Sequence, residues 1–220
     1  MRTVARNNIS SKYYRLNEAM DDSFSLEELS QLPTYVARLN YCKQHLGNPI
    51  GNGSSRIVFQ IDDEKCLKLA KNTKGIAQNE VEYDKYAETY DVTVSLFDRD
   101  EDSKWIITEY ALPAKTQDFK ECLGISFKTF CDFVKCCYNC YCRNGYKLFT
   151  EMSEENFCEL LDNNEWFNDF YAYMADYQLP CGDLLRITNY GMVMRYDEPQ
   201  IVILDSGLNY DVYTNYYNRH

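Results

Sequence analysis

Two glycines, Gly51 and Gly53, stand two residues apart in LGNPIGNGSSRIVFQIDDEKCLKLAKN (residues 46–72), and the hairpin they open runs on to Lys68 between two leucines. Glycines at that spacing let backbone N–H groups approach an anion without an intervening Cβ. The same pattern also describes a tight turn followed by an ordinary hairpin. A second candidate is CCYNCYC, residues 136–142, where Cys137 and Cys140 form one CxxC. A tetrahedral zinc site needs two further ligands, and the sequence offers no second CxxC and only His45 and His220. Phe127, Phe130, Cys131, Val134, Cys137, Tyr138 and Tyr141 recur at helical spacing, so these cysteines are expected to pack along a helix as small apolar side chains. The acidic stretches DDE (62–64) and DRDEDS (98–103) lack the glycine and terminal glutamate of a calcium loop and read as solvated turns.

At 220 residues the chain can bury a core as one domain of two lobes or as two small domains. Its net charge of −11 argues against nucleic acid as a partner, because that binding rests on many Lys and Arg contacts to phosphates. No apolar run approaches the roughly 18 residues that span a bilayer, so no membrane association is expected. The start, MRTVARNNISSKYYRLNEAMDD, carries basic residues without an apolar signal core, which favours the cytoplasm. In that compartment the ten cysteines are expected to be thiols.

Residues 1–45 read as a helical extension in which Ser25 is an N-cap, Glu28 its capping-box partner and Pro33 a break between two short helices. From Ile50 to Leu112 the period becomes two. RIVFQI and KCLKLA flank DDE, while VTVSLF and KWIITEY flank DRDEDS, giving two hairpins. Between them Ile76, Tyr83, Ala87 and Tyr90 mark a helix. Residues 113–180 read as helical, strongest in FKTFCDFVKCCYNCYC and NEWFNDFYAYMADY. A last hairpin, GMVMRY and IVILD around DEPQ, precedes a short Tyr-rich helix. That helix is expected to dock its tyrosines, with an interaction edge as the alternative. Trp105 and Trp166 are expected to pack in the sheet and helical lobes.

The order strand, strand, helix, strand, strand, helical lobe, hairpin resembles the protein-kinase-like superfamily. The expected class is α+β, a compact kinase-like fold with a small antiparallel sheet lobe holding one helix (46–112) and a truncated helical lobe (113–220). Gly51, Gly53 and Val58 fit GxGxxGxV with Arg56 in place of the third glycine. The resemblance implies that Lys68 pairs with nucleotide phosphates and with a glutamate, Glu80 or Glu82. Glu82 is preferred because Tyr86 lies four residues on along the same stripe. It also implies Thr108 at a gate and Glu109 to Ala111 offering backbone groups to an adenine edge. VILDSGL resembles the D-F-G loop, with Asp205 as metal ligand and Ser206 replacing phenylalanine. CGDLLRITNYG resembles the catalytic loop, with Asp183 as base and Asn189 as second metal ligand. Here the two are six residues apart where the family has five, and the His-Arg is absent.

An oxygen pair such as Asn189 and Asp205 suits Mg²⁺, which takes one or two protein ligands and completes its shell with water and phosphate. Fifteen residues follow Asp205, so an activation segment and peptide-binding helices are not expected. The stretches GNPIGNGSSRIVFQIDDEKCLKLAKN, KGIAQNE and DLLRITNYGMV with IVILDSGL are similar to small kinase-like proteins encoded by bacteriophages. The expected function is a degenerate, pseudokinase-type module that binds ATP and Mg²⁺ and acts through a protein partner. An active ATP-dependent phosphotransferase and a phage structural or host-takeover scaffold are the alternatives.

Overall fold

The structure, a computed structural model, describes residues 24–86, 90–142 and 146–217. Ala87 and His220, both used above, lie outside the described residues, as does most of the expected 1–45 extension. Contacts group the chain up to residue 76 with 96–110 in one unit, and 77–95 with the chain from 111 onward in a second.

In the first unit, helices α1 (Leu26–Gln31) and α2 (Tyr35–Leu46) precede β1 (Gly51–Asn52), β2 (Arg56–Gln60) and β3 (Lys65–Ala70). Helix α3 (Thr73–Tyr86) begins here, and β4 (Leu96–Arg99) and β5 (Trp105–Glu109) complete an antiparallel sheet ordered β1-β2-β3-β5-β4. Period-two alternation gives the sheet two different faces. Ile57, Phe59, Leu67, Leu69, Trp105 and Ile107 form one and pack on Leu29, Tyr41 and Cys42 of α1 and α2. Each such burial contributes about 1.5–3 kcal/mol. The two helices therefore pack on the sheet. Val58, Lys68 and Ile106 lie in register on the opposite face, as do Cys66 and Thr108.

Local chemistry accounts for the joins. Ser25 Oγ caps α1 by accepting the Glu28 N–H at 3.3 Å, while the Ser25 N–H goes to the Tyr41 hydroxyl at 2.9 Å and Glu28 Oε2 accepts from Tyr41 at 3.2 Å. Tyr41 thus stands between the two halves of the expected capping box. The DDE turn closes on Asp62 Oδ1, which accepts the Glu64 and Lys65 N–H groups. In DRDEDS the expectation of a solvated turn fails at Asp100, which is buried because its carboxylate accepts the Asp102 and Lys104 N–H groups. Trp105 is buried and donates its indole N–H to Ser30 Oγ.

The second unit holds α4 (Thr116–Leu123), α5 (Phe127–Tyr141), α6 (Glu154–Asn163), α7 (Glu165–Asp176), α8 (Cys181–Leu184) and α9 (Tyr210–Tyr216). A sheet ordered β6-β7-β8 joins them, from β6 (Leu112–Pro113), β7 (Tyr190–Arg195) and β8 (Glu198–Ile203). Phe119, Phe130, Phe133, Phe167, Phe170 and Tyr190 fill its core. Trp166 stacks on Phe170 and donates to the Ile201 carbonyl.

Three expectations are corrected here. VTVSLF is not one strand: Thr93 bridges Ile203 in parallel and Val94 N–H bonds the Ile203 carbonyl, so only Leu96–Arg99 joins the first sheet. Val92 and Val94 are buried, and Arg195 ties this segment down through the Asp91 and Thr93 carbonyls. The last hairpin turns at Tyr196 and Asp197, both at positive φ, so of the expected DEPQ turn only Asp197 lies in it while Glu198, Pro199 and Gln200 belong to β8. Pro199 can then sit within β8 because that strand is an edge. The C-terminal helix buries Val212 but leaves Tyr210 and Tyr213 exposed, so its tyrosines are not all docked.

Cys137 is fully buried among the aromatic residues of the helical core, while Cys140, one turn on, is exposed. The CxxC pair therefore points to different environments, which is what packing along an amphipathic helix requires. Burial pushes the Cys42 and Cys181 thiols up to about 12 and Cys137 higher still. A thiol-reactive disulfide reagent is expected to label Cys140 and Cys158 first on the native chain. Cys42, Cys66, Cys137 and Cys181 should react only in denaturant, and early labelling of Cys137, read by mass spectrometry, would contradict the packing role.

Candidate functional site

The residues singled out by sequence divide between the two units. In the first, the β1–β2 loop carries Gly51 and Gly53. Neither glycine is forced by the backbone, since the positive-φ glycines among the described residues are Gly47 and Gly124. A Cβ at Gly51 would meet Val58 at 3.4 Å, and one at Gly53 would meet the Arg56 carbonyl at 3.6 Å, both ordinary contacts. The turn at Gly53–Arg56 therefore does not depend on glycine at either position.

The loop is held from below by the segment after β3. Lys71 Nζ donates to Asn52 Oδ1 and to the Gly53 carbonyl, Asn72 Nδ2 donates to the Ser54 carbonyl at 3.3 Å, and Lys71 N–H donates to the Ser55 carbonyl at 2.8 Å. Gly75, in the first turn of α3, lies so close that a Cβ there would sit 2.3 Å from the Ser55 oxygen. The Gly53 N–H is donated to the Arg56 carbonyl at 2.9 Å. One of the loop's own donors is therefore spent internally.

Lys68 is 6% exposed on the face that also carries Val58, Ile106, Cys66 and Thr108. Thr108 is buried, with Oγ1 3.2 Å from Cys66 Sγ. Of the segment expected to offer backbone groups, Tyr110 N–H is donated to the Glu64 carbonyl at 2.7 Å, and the Glu109 carbonyl accepts from Cys66 Sγ. Ala111 belongs to the second unit and packs with Val94, Val193 and Val202.

In the second unit the β7–β8 hairpin carries the candidate oxygen ligands. Asn189 closes a 3-10 turn (Ile187–Asn189) just before β7, and Asp205 follows β8 by two residues. The Asn189 carbonyl accepts the Leu204 N–H at 2.8 Å, which places Asn189 opposite the residue before Asp205. Asn189 Nδ2 donates to the Asp183 carbonyl at 2.8 Å, turning its Oδ1 away from that bond. Asp205 is exposed. Asp183 sits in the short helix α8, its carboxylate 3.5 Å from Arg186 Nη1 and 43% exposed. The sixth residue of spacing is taken up by this helical turn, since the Asp183 carbonyl also accepts the Arg186 N–H.

Burial separates the two candidate glutamates. Glu82 is 5% exposed, while Glu80 faces solvent. The Asp205–Ser206–Gly207 turn is seated on α3, because a Cβ on Gly207 would lie 2.5 Å from the Gln78 carbonyl oxygen. Gln78 in turn donates to the Tyr217 hydroxyl at 3.3 Å. Tyr173 of α7 is 1% exposed, and burial drives its phenol far above its usual range, an effect that Ser206 offsets in part and the Glu82 and Asp205 charges increase. Sequence reading missed Tyr173, Gln78, Lys71 and Gly75. A lone glycine inside a helical pattern was the available signal for the last.

No described group of three or more His, Cys, Asp or Glu side chains is arranged to hold a metal ion. No family model matches the sequence, and no curated protein is significantly similar to it. Among solved structures, the ternary complex of streptomycin, ATP and APH(2")-IIa is similar at a TM-score of 0.30 and 11% identity, over 73% of this chain and 64% of that one. This chain thus spans less than two thirds of that structure's length.

Proposed function

We propose that the chain is a degenerate kinase-like module that binds ATP with Mg²⁺ and acts through a protein partner. The observation that carries this reading is the end of the β7–β8 hairpin, where the Asn189 carbonyl accepts the N–H of Leu204, the residue before Asp205. One amide oxygen and one carboxylate fit a hard divalent ion that keeps most of its shell for water and phosphate oxygens. Bound there, Mg²⁺ and ATP would supply a neutralised, transferable phosphoryl group. Within the first unit, Lys68 and the backbone at Gly51 and Gly53 are groups that suit phosphate charge.

Three features support degeneracy. The Gly53 and Tyr110 N–H groups are already donated within the chain, and Asp183 lies in a helical turn paired with Arg186. A partner is supported by the exposed aromatic residues Tyr146, Phe149, Tyr210 and Tyr213, a residue type enriched at interfaces. The second reading, an active phosphotransferase with Asp183 as base, is favoured by the solvent access of that carboxylate. The phage-type kinship rests on the sequence stretches quoted above. A cytoplasmic setting is supported by the ten cysteines, none of which is in a disulfide. No described helix is long and apolar enough to cross a membrane.

The test is thermal melting with and without ATP and MgCl₂. Nucleotide at a hundred times Kd is expected to raise the melting temperature of the wild type by about 5–10 °C. Lys68→Met and Asp205→Ala should each remove that rise, and a wild type unmoved by millimolar ATP would refute nucleotide binding. Robust phosphoryl transfer lost in Asp183→Ala would decide for the active enzyme.

The glycine pair gives a finer prediction. Gly51→Ala and Gly53→Ala are expected to change intrinsic stability by less than about 0.5 kcal/mol, since each Cβ has room. Each should nonetheless shrink the ATP-induced shift. A variant that melts lower without nucleotide but keeps the full shift would return these glycines to a purely structural role.

A further inference from the structure

We infer that Lys71 is a positioning residue for a phosphate-binding loop: its ammonium ties the β1–β2 turn to the end of the strand that carries Lys68, so that an anion meets a turn already ordered. The inference rests on the reading of Gly51, Gly53 and Lys68 as groups that receive a nucleotide's phosphates.

Every contact involved lies in the first unit. Lys71 Nζ donates to Asn52 Oδ1 and, at 2.6 Å, to the Gly53 carbonyl. Asn72 Nδ2 donates to the Ser54 carbonyl at 3.3 Å, and the Lys71 N–H to the Ser55 carbonyl at 2.8 Å. The Arg56 carbonyl accepts the Gly53 N–H at 2.9 Å. Four consecutive carbonyls, from Gly53 to Arg56, are thus engaged by partners inside the unit. A carbonyl oxygen repels an anion, and here one of the four is met by a full positive charge. Asn72 is held in its turn, since its Oδ1 accepts the Gly75 N–H at 3.2 Å in the first turn of α3.

Lys71 and Asn72 follow directly on β3, the strand that carries Lys68. The turn and Lys68 therefore share one backbone frame, which is what holding a phosphate chain in a fixed geometry requires. A loop kept in its binding shape also lowers the ordering cost of association. Immobilising a lysine stem costs side-chain entropy, and two charge-assisted bonds from one ammonium offset it. The shape of the turn comes to depend on that ammonium.

The test compares wild type, Lys71→Met, Lys71→Arg and Asn72→Ala, each as the full chain, by two readouts. Amide hydrogen exchange over residues 52–56 is followed without ligand, and affinity is measured for ATP with MgCl₂, for inorganic tripolyphosphate and for adenosine. Lys71→Met keeps the apolar stem and removes the charge. It is expected to speed exchange in the turn and to weaken ATP and tripolyphosphate about tenfold, while adenosine binds as before. Lys71→Arg should restore most of both effects. Asn72→Ala, which removes the Ser54 contact, should shift both readouts in the same direction by less, and it serves if Lys71→Met folds poorly. Unchanged exchange in Lys71→Met overturns the inference, and so does an equal loss of affinity for all three ligands, which marks a role in stability alone. ATP bound equally by wild type and Lys71→Met sinks the inference and leaves the nucleotide reading standing. Tripolyphosphate bound by the wild type and lost in Lys71→Met, with ATP no tighter than tripolyphosphate, keeps the inference and sinks the nucleotide reading. A wild type that binds neither overturns both.

Discussion

Gly75→Ala is expected to destabilise the chain by about 2–4 kcal/mol, against the direction that helix propensity alone predicts. Alanine is worth about 1 kcal/mol more than glycine in a helix interior, and Gly75 lies inside α3. The added Cβ, however, would sit 2.3 Å from the Ser55 carbonyl oxygen, 3.0 Å from Ala70 Cα and 3.1 Å from Ala70 Cβ. Two of these three atoms are backbone and cannot rotate away. The Ser55 oxygen is also the acceptor for the Lys71 N–H, so moving it costs that bond as well. A fall in melting temperature of roughly 5–15 °C follows for a chain of this size. The control is Gly182→Ala in α8, where a Cβ meets nothing within 4 Å and propensity should win by a few tenths of a kcal/mol. If Gly75→Ala melts at or above the wild type, the close approach of the loop to α3 is wrong. Because that approach holds the β1–β2 loop, the same variant should increase proteolysis near residues 53–55.

What sequence alone conveys is clearest where one residue's environment repeats along an element. Ile57, Phe59, Leu67, Leu69, Trp105 and Ile107 alternate with residues of the other face, and period two placed β2, β3 and β5 correctly. The apolar stripe of α5 and α7 did the same at helical spacing. The α+β class with a small antiparallel sheet followed from these segments alone. Alternation could not reveal that Val92 and Val94 leave the first sheet, because a valine buried beside β8 looks the same as one buried beside β5. Nor could it place the last turn at Tyr196 and Asp197, since a two-residue turn at positive φ usually announces itself with Asn or Gly.

The candidate site divides in the same way. Gly51, Gly53, Lys68, Asp183, Asn189 and Asp205 stood out because a pattern spans them, but the choice between Glu80 and Glu82 needed the phase of α3, which only burial supplies. Tyr173 was invisible for a related reason. In FYAYMADY it differs from Tyr171 only by its side of the helix, and the Tyr90 ring it packs on is far back in the chain. Lys71 read as one more surface lysine, whereas its ammonium closes the loop on Asn52 and Gly53.

The second large effect is expected at Gly207, where stability and site are coupled. An alanine there would bring Cβ 2.5 Å from the Gln78 carbonyl oxygen, 2.9 Å from Gln78 Cβ and 3.0 Å from its carbonyl carbon. Gln78 cannot yield easily, being buried inside α3 and tied at its amide to the Tyr217 hydroxyl. The turn must therefore lift off the helix, and Asp205, two residues earlier, must move with it. Gly207→Ala is accordingly expected to cost about 2–4 kcal/mol and to abolish the Mg²⁺-dependent part of the ATP shift. Loss of stability alone would show only a crowded turn. The informative comparison is Gly191→Ala, whose Cβ would meet Ala111 Cβ and Leu204 Cδ2 at 2.7 Å and the Leu112 carbonyl oxygen at 3.2 Å, a clash of similar severity in the same unit. It should lower the melting temperature by a similar amount and leave a measurable ATP response. If both variants lose stability equally and both retain the response, the Asp205 turn does not need its seat on α3. If Gly207→Ala alone loses the response, the seat on α3 sets the direction of Asp205.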